Sequence, residues 1–216
     1  MMKILYMIGK RGNVTLHISL LVFIILLSNS ILSIYYNCQQ SAAQTINTPS
    51  ENVVRKTSEF VMYTNPIYGF KILYPANWEK IDFGQAIEED DRHIVVTFLS
   101  PLEDTLDRFR EYLIIQVGEI MFNRSLEQYV DNQVNSLRRS LPNFEIVESN
   151  ATAIKDNLAY TIVYTFKIGK DEYKVTEVWI TKDNKLYYIK YSTELGNSDN
   201  YESTVRKMID SFRIIG

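Results

Sequence analysis

Tyr63-Thr-Asn-Pro-Ile-Tyr-Gly-Phe-Lys-Ile-Leu-Tyr-Pro-Ala-Asn-Trp78 decides how this chain is read. Asn65-Pro66 marks a turn, an apolar strand follows from Phe70, and Tyr74-Pro75 stops it. Proline lacks the ladder N–H and restricts the residue before it, so Pro75 ends the strand or lies at its edge. Gly69 permits a sharp entry that a residue with a Cβ would resist. Trp78, three residues past the stop, is expected to pack under this strand and to touch a closing-helix residue such as Met208 or Phe212. The alternative is an exposed indole that stacks on a ligand.

Outward from this stretch, strand signals dominate. His93–Leu99 and Tyr112–Ile120 are short runs of β-branched and aromatic residues. Leu158–Ile168 alternates, with Leu158, Tyr160, Ile162, Tyr164, Phe166 and Ile168 on one side and Thr161, Thr165 and Lys167 on the other. That predicts a half-buried antiparallel strand. Turns at Gly169–Asp171 and Lys182–Lys185 lead into Tyr173–Ile180 and Leu186–Ser192, which gives a three-stranded meander.

The helical period occurs twice. Ser125-Leu-Glu-Gln128 is a capping box, followed by the stripe Leu126, Tyr129, Val130, Val134, Leu137 and Leu141 and a stop at Pro142. Asp199, with Glu202 three residues on, opens the second helix, whose stripe is Tyr201, Val205, Met208, Ile209 and Phe212. Each helix has one apolar face and covers part of a sheet. The class is α+β, an antiparallel sheet sandwiched by helices in a single domain.

Lys3, Lys10 and Arg11 precede an uncharged, mostly apolar stretch from Val14 to Tyr36. Its dense part, Ile18–Leu27, suits a signal-peptide core, and the whole run is roughly 20 residues, enough for a spanning helix. The basic residues keep the N-terminus inside and send the rest across, so the domain is expected on the extracytoplasmic face, anchored or secreted. Ser41-Ala42-Ala43 offers a cleavage site, and an uncleaved anchor is the other reading. Bulky, polar Tyr36-Asn37 do not suit lipidation of Cys38, which as the single cysteine forms no internal disulfide. The resulting division is a signal peptide or anchor over 1–43, a polar linker over 44–59 and a domain over 60–216.

The domain is long enough to bury its own core. Beyond Arg11, 20 basic residues face 26 acidic ones, which disfavours nucleic acid as a partner. Catalytic patterns are sparse. His93 is the single histidine outside the N-terminal segment, and no zinc cluster, P-loop or dinucleotide fingerprint is present. The chain is therefore read as non-catalytic and without a cofactor.

The acidic run Glu88, Glu89, Asp90 and Asp91 is the candidate metal site, with calcium the ion its oxygens would suit. A solvated loop is the plainer reading, and an exported hydrolase using these carboxylates beside His93 is the alternative function. Glu103, Asp104 and Asp107, interleaved with Arg108 and Arg110, read as surface charge pairing. Tyr187, Tyr188 and Tyr191 are the candidate partner surface, because adjacent tyrosines on a strand face opposite ways and a wet hydroxyl suits an interface. A sheet covered on both faces is the competing reading. Asn123-Arg-Ser125 and Asn150-Ala-Thr152 match the N-glycosylation pattern.

Gly69-Phe-Lys-Ile-Leu-Tyr-Pro-Ala-Asn-Trp78, the Ser125-Leu-Glu helix start, Tyr187-Tyr-Ile-Lys-Tyr191 and Met208-Ile-Asp-Ser-Phe212 together resemble PsbP-like domains, over about Tyr63 to Ile214. The resemblance implies an antiparallel sheet sandwiched by helices, a fold shared with a Ran-binding nuclear-import factor. It also implies a non-enzymatic extrinsic subunit, of the kind that helps photosystem II retain calcium and chloride. This chain departs from that role in carrying an export segment instead of a long plastid transit sequence, and in having His93 as its one candidate metal-binding histidine. The expectation is a binding or assembly module on the outer face of a non-photosynthetic cell, partnered by a membrane complex or cell-envelope protein.

Overall fold

The computed structural model describes residues 59–89, 92–103, 107, 109–120 and 124–215. They belong to a unit that runs from Lys56 to Gly216. The apolar stretch Val14–Tyr36, the cleavage site and Cys38 lie outside the described residues. Among the described residues no helix is long and apolar enough to cross a membrane.

The opening stretch forms a hairpin. β1 (Phe60–Asn65) pairs antiparallel with β2 (Phe70–Pro75), and the register runs from Asn65 opposite Phe70 to Phe60 opposite Pro75. Asn65 builds the turn, because its side-chain oxygen accepts from the Tyr68 N–H at 2.9 Å and its carbonyl from the Gly69 N–H at 2.9 Å. Gly69 has φ +73°, and a Cβ there would lie 2.8 Å from the Ile215 carbonyl oxygen. Glycine is thus required twice, by the backbone angle and by a close approach.

β3 (Glu79–Glu89), β4 (Arg92–Leu99) and β5 (Tyr112–Glu119) form one antiparallel meander. α1 (Leu126–Ser140) then carries the chain over one face to the far edge. There β6 (Glu145–Ile154), β7 (Asn157–Ile168), β8 (Asp171–Lys182) and β9 (Lys185–Glu194) form a second meander. The two halves join where β9 pairs antiparallel with β5. A 3-10 turn (Leu195–Asn197) leads to α2 (Ser198–Ser211), and β10 (Arg213–Ile214) closes the small sheet. The orders are β1-β2-β10 and β3-β4-β5-β9-β8-β7-β6, with every pair antiparallel.

The large sheet is covered on both faces. On one, Tyr63, Phe70 and Ile72 from the small sheet, Val205 and Met208 from the closing helix and Phe212 just after it meet Phe98, Ile115, Ile180, Tyr187 and Ile189. On the other, Leu126, Val130 and Leu137 of α1 pack on Ile162, Tyr164, Val175, Trp179, Leu186 and Tyr188. Both the α+β class and the meander match the sequence reading. The expected single sheet is instead two, because β1, β2 and β10 pair with one another and with none of the other seven strands. The second layer mixes a short sheet with a helix.

α1 starts as its sequence requires. The Ser125 Oγ accepts from the Gln128 N–H at 3.2 Å, while Gln128 accepts from the Ser125 N–H at 3.0 Å. α2 begins at Ser198, one residue before the expected Asp199, so Asp199 lies within the first turn. β7 also departs from its expected pattern. Ala159 and Val163, on its supposedly polar side, are buried, while Leu158 and Ile168 at its ends are exposed. Ala159 joins the core that the small sheet and α2 share with the large sheet.

Candidate functional site

Two hairpin turns lie at one end of the large sheet. β6 reverses into β7 through Lys155-Asp156, with Ile154 paired to Asn157. β8 reverses into β9 through Asp183-Asn184, with Lys182 paired to Lys185. Since Ala159 pairs with Ile180 across β7 and β8, Asn157 and Lys182 are neighbours at this end. The start of β10 joins them, and a cleft of about 380 Å³ opens among Ile154, Lys155, Asp156, Asn157, Ile180, Lys182, Phe212, Arg213 and Ile214.

Each wall has a separate physical origin. Ile180 and Phe212 are fully buried and make an apolar back wall that belongs to the core. Ile154 and Ile214, partly exposed, form the sides. Lys155, Lys182 and Arg213 bring three bases and Asp156 one acid. Arg213 is held by its own backbone, its Nη1 donating to the Asp210 and Phe212 carbonyls at 2.6 Å each. Lys155 has φ +55°, a left-handed conformation costing a non-glycine residue roughly 1–3 kcal/mol. The Asn157 side chain donates to the Ile154 carbonyl at 3.3 Å and braces this turn. Apolar walls with a few fixed charges at the rim are the usual make-up of a small-ligand site.

Polar groups are also buried elsewhere. Glu111 is fully buried, and its Oε2 accepts from the Ser100 hydroxyl at 2.8 Å. Burial, the largest influence, raises its pKa above the usual carboxylate value, and Glu103 and Asp107 push the same way while the Ser100 bond opposes. Arg110 beside it ties three segments, donating to the Ser100 carbonyl at 2.6 Å and to Glu79 at 2.6 Å. Fully buried Glu177 accepts from the Tyr164 hydroxyl at 2.8 Å, and burial followed by the Glu177 charge drives that phenol well up. The Arg92 guanidinium lies 4.5 Å from the Tyr188 ring centre and 5.3 Å from that of Trp179, a cation held by two aromatic faces. These groups lie within the packed layers and brace strands against one another.

The tyrosine surface is a correction. Tyr187, Tyr188 and Tyr191 are each 5% exposed or less, so they present no partner surface. Tyr187 points toward the small sheet, donates to the Tyr68 carbonyl at 2.9 Å and packs against Phe70 and Phe212. Tyr188 takes the opposite face, edge-on to Trp179 at 4.5 Å. Adjacent tyrosines do face opposite ways, but both directions lead into a core.

The acidic run is not one loop. Glu88 and Glu89 belong to β3, opposite His93 and Arg92, while Asp90 and Asp91 lie outside the described residues. Among the described residues no group of three or more His, Cys, Asp or Glu is arranged to hold a metal ion. His93 lies beside Tyr68 at 6.3 Å between ring centres and takes no part in the cleft. Asn150 is exposed on β6 in its glycosylation pattern, whereas Asn123 falls outside the described residues.

Sequence reading passed over Lys155, Lys182 and Arg213. Lys155-Asp156-Asn157 carried the signal, polar turn residues between two strands, but β6 lacks the alternation that would have shown the hairpin. Lys182 was seen only as part of a turn.

The family model described as PsbP-like protein matches residues 18–214. No curated protein matches the chain. Among solved structures, the chain is similar to cyanobacterial PsbP (CyanoP) from Synechocystis sp. PCC 6803, with TM-score 0.54 and 21% identity over 77% of this chain and 98% of that one. A Pseudomonas aeruginosa protein of unknown function is similar at TM-score 0.50 and 14% identity, covering 70% of this chain and 94% of that one. The Saccharomyces cerevisiae Ran-binding protein Mog1p is similar at TM-score 0.50 and 10% identity, covering 74% and 97%. At these identities the structural likeness establishes the fold.

Proposed function

The chain belongs to the PsbP-like protein family, and from that premise we propose that it is a non-catalytic binding module, held on the extracytoplasmic face of a membrane by its N-terminal segment and associated there with a membrane complex or cell-envelope protein. The lining of the cleft carries this reading. Its nine residues are four apolar side chains, three bases, one acid and one amide. That set can hold and orient a ligand. The set includes no serine, cysteine or histidine, side chains that commonly act as nucleophile or general base. The bases Lys3, Lys10 and Arg11 ahead of Val14–Tyr36 support placement of the domain across the membrane.

The test is affinity capture of the full chain, tagged at its C-terminus, from membranes dissolved in mild detergent. A stoichiometric protein partner, with the domain open to protease added outside intact cells, is the expected result. Recovery of the free monomer alone, or a domain shielded from external protease, would overturn the reading.

A further inference from the structure

We propose that the cleft takes a small organic oxyanion, a carboxylate or phosphate carried on a short apolar body such as one aromatic ring or a brief alkyl chain. The proposal rests on reading the cleft as the binding site and adds the chemistry of what enters it. Charge gives the sign. Among the nine lining residues the bases Lys155, Lys182 and Arg213 outnumber the one acid, Asp156, on a chain whose net charge is −3. A positive site on a negative molecule is a local product of two turns and a strand end, and it attracts an anion that the rest of the surface repels.

The walls give the body. Ile154, Ile180, Phe212 and Ile214 offer a surface on which an apolar group replaces water. The volume of about 380 Å³ lies at the lower end of the range for small-molecule sites, which limits the body to a small one. Geometry holds one charge in place and sets the start of another. The Lys155 backbone is set by a left-handed turn, and the Arg213 guanidinium is held by two bonds to nearby backbone carbonyls, so ligand binding has little side-chain order left to impose on that guanidinium. A guanidinium with nitrogens beyond Nη1 and two ammonium groups matches an oxyanion's several acceptor positions.

The test uses the full chain in detergent, with water-soluble probes that do not partition into micelles. Benzoate and phenyl phosphate are compared with benzamide, which keeps the ring and loses the charge, by ligand-observed saturation-transfer NMR titration. At least one of the two anions is expected to bind saturably and about tenfold or more tighter than benzamide. Lys155→Gln with Lys182→Gln should weaken that anion by a similar factor, and Lys155→Arg with Lys182→Arg should retain it. Equal affinity for benzamide, no saturable binding of either anion, or unchanged binding in the Gln double variant would overturn the proposal. Such a failure concerns what enters the cleft, whereas a membrane capture that returns only monomer concerns the assembly reading, so the two failures are told apart.

Discussion

Trp78 shows how much a single side chain can fix. It is 4% exposed and meets the Tyr201 ring of α2 edge-on at 5.5 Å, in the same core as Met208 and Phe212. The closing helix was the expected neighbour, though Tyr201 makes the ring contact. Trp78→Ala should cost roughly 3–5 kcal/mol in a denaturant melt, through lost burial and the cavity left behind. Gly69 and Gly169 form a second residue-scale experiment. Both have positive φ, but a Cβ on Gly69 would meet the Ile215 carbonyl at 2.8 Å, whereas one on Gly169 meets nothing within 4 Å. Gly169→Ala should therefore cost about 1 kcal/mol of backbone strain, and Gly69→Ala clearly more. Glu111 gives a pH signature. Its folded pKa is raised, so folding favours the protonated form, and stability falls as pH rises from the ordinary carboxylate value through the raised one. Glu111→Gln cannot titrate. Thermal melts between about pH 4 and about pH 8 should show a shallower alkaline loss in the variant than in the parent.

At the scale of elements, legibility followed the length and regularity of the pattern. α1 was readable to the residue because its cap, stripe and stop are local, and its capping box is formed on both sides. β8 and β9 were readable because tight turns bound their apolar runs. β6 was not. Its first nine residues are exposed and the tenth partly so, and it is held by its ladder to β7 and not by a buried face. β3 was hidden by Gly84 and a break in register between Asp82 and Ile87. The β6–β7 turn carries the element-scale prediction. Lys155→Gly should relieve the left-handed strain, less the entropy glycine loses, for a net gain of about 0.5–1 kcal/mol. The same substitution should weaken whichever of benzoate and phenyl phosphate binds while raising the melting temperature, a trade between stability and binding within one turn.

For the whole molecule, Lys56–Gly216 is one unit with a core on each face of its large sheet. A chain that begins at Lys56 should fold without the N-terminal segment, giving dispersed amide resonances and one cooperative melt; a spectrum collapsed to random-coil shifts would refute this. The sequence by itself determined the α+β class, the family, both helices, the meander and the structural place of Trp78. Those features rest on local rules, namely periodicity, caps, proline stops and turn residues, each satisfied within a few positions of the chain. Only the tertiary structure decided that Tyr187, Tyr188 and Tyr191 are buried, that the first strands form a separate small sheet, and that Lys155, Lys182 and Arg213 ring one cleft. Burial depends on what covers each face, and the covering elements lie far away in the sequence: Phe70 and Phe212 over Tyr187, and Leu126 and Val130 in the core that takes Tyr188. The cleft is likewise made by strand register, which brings together bases from two turns and a strand end that no local pattern connects.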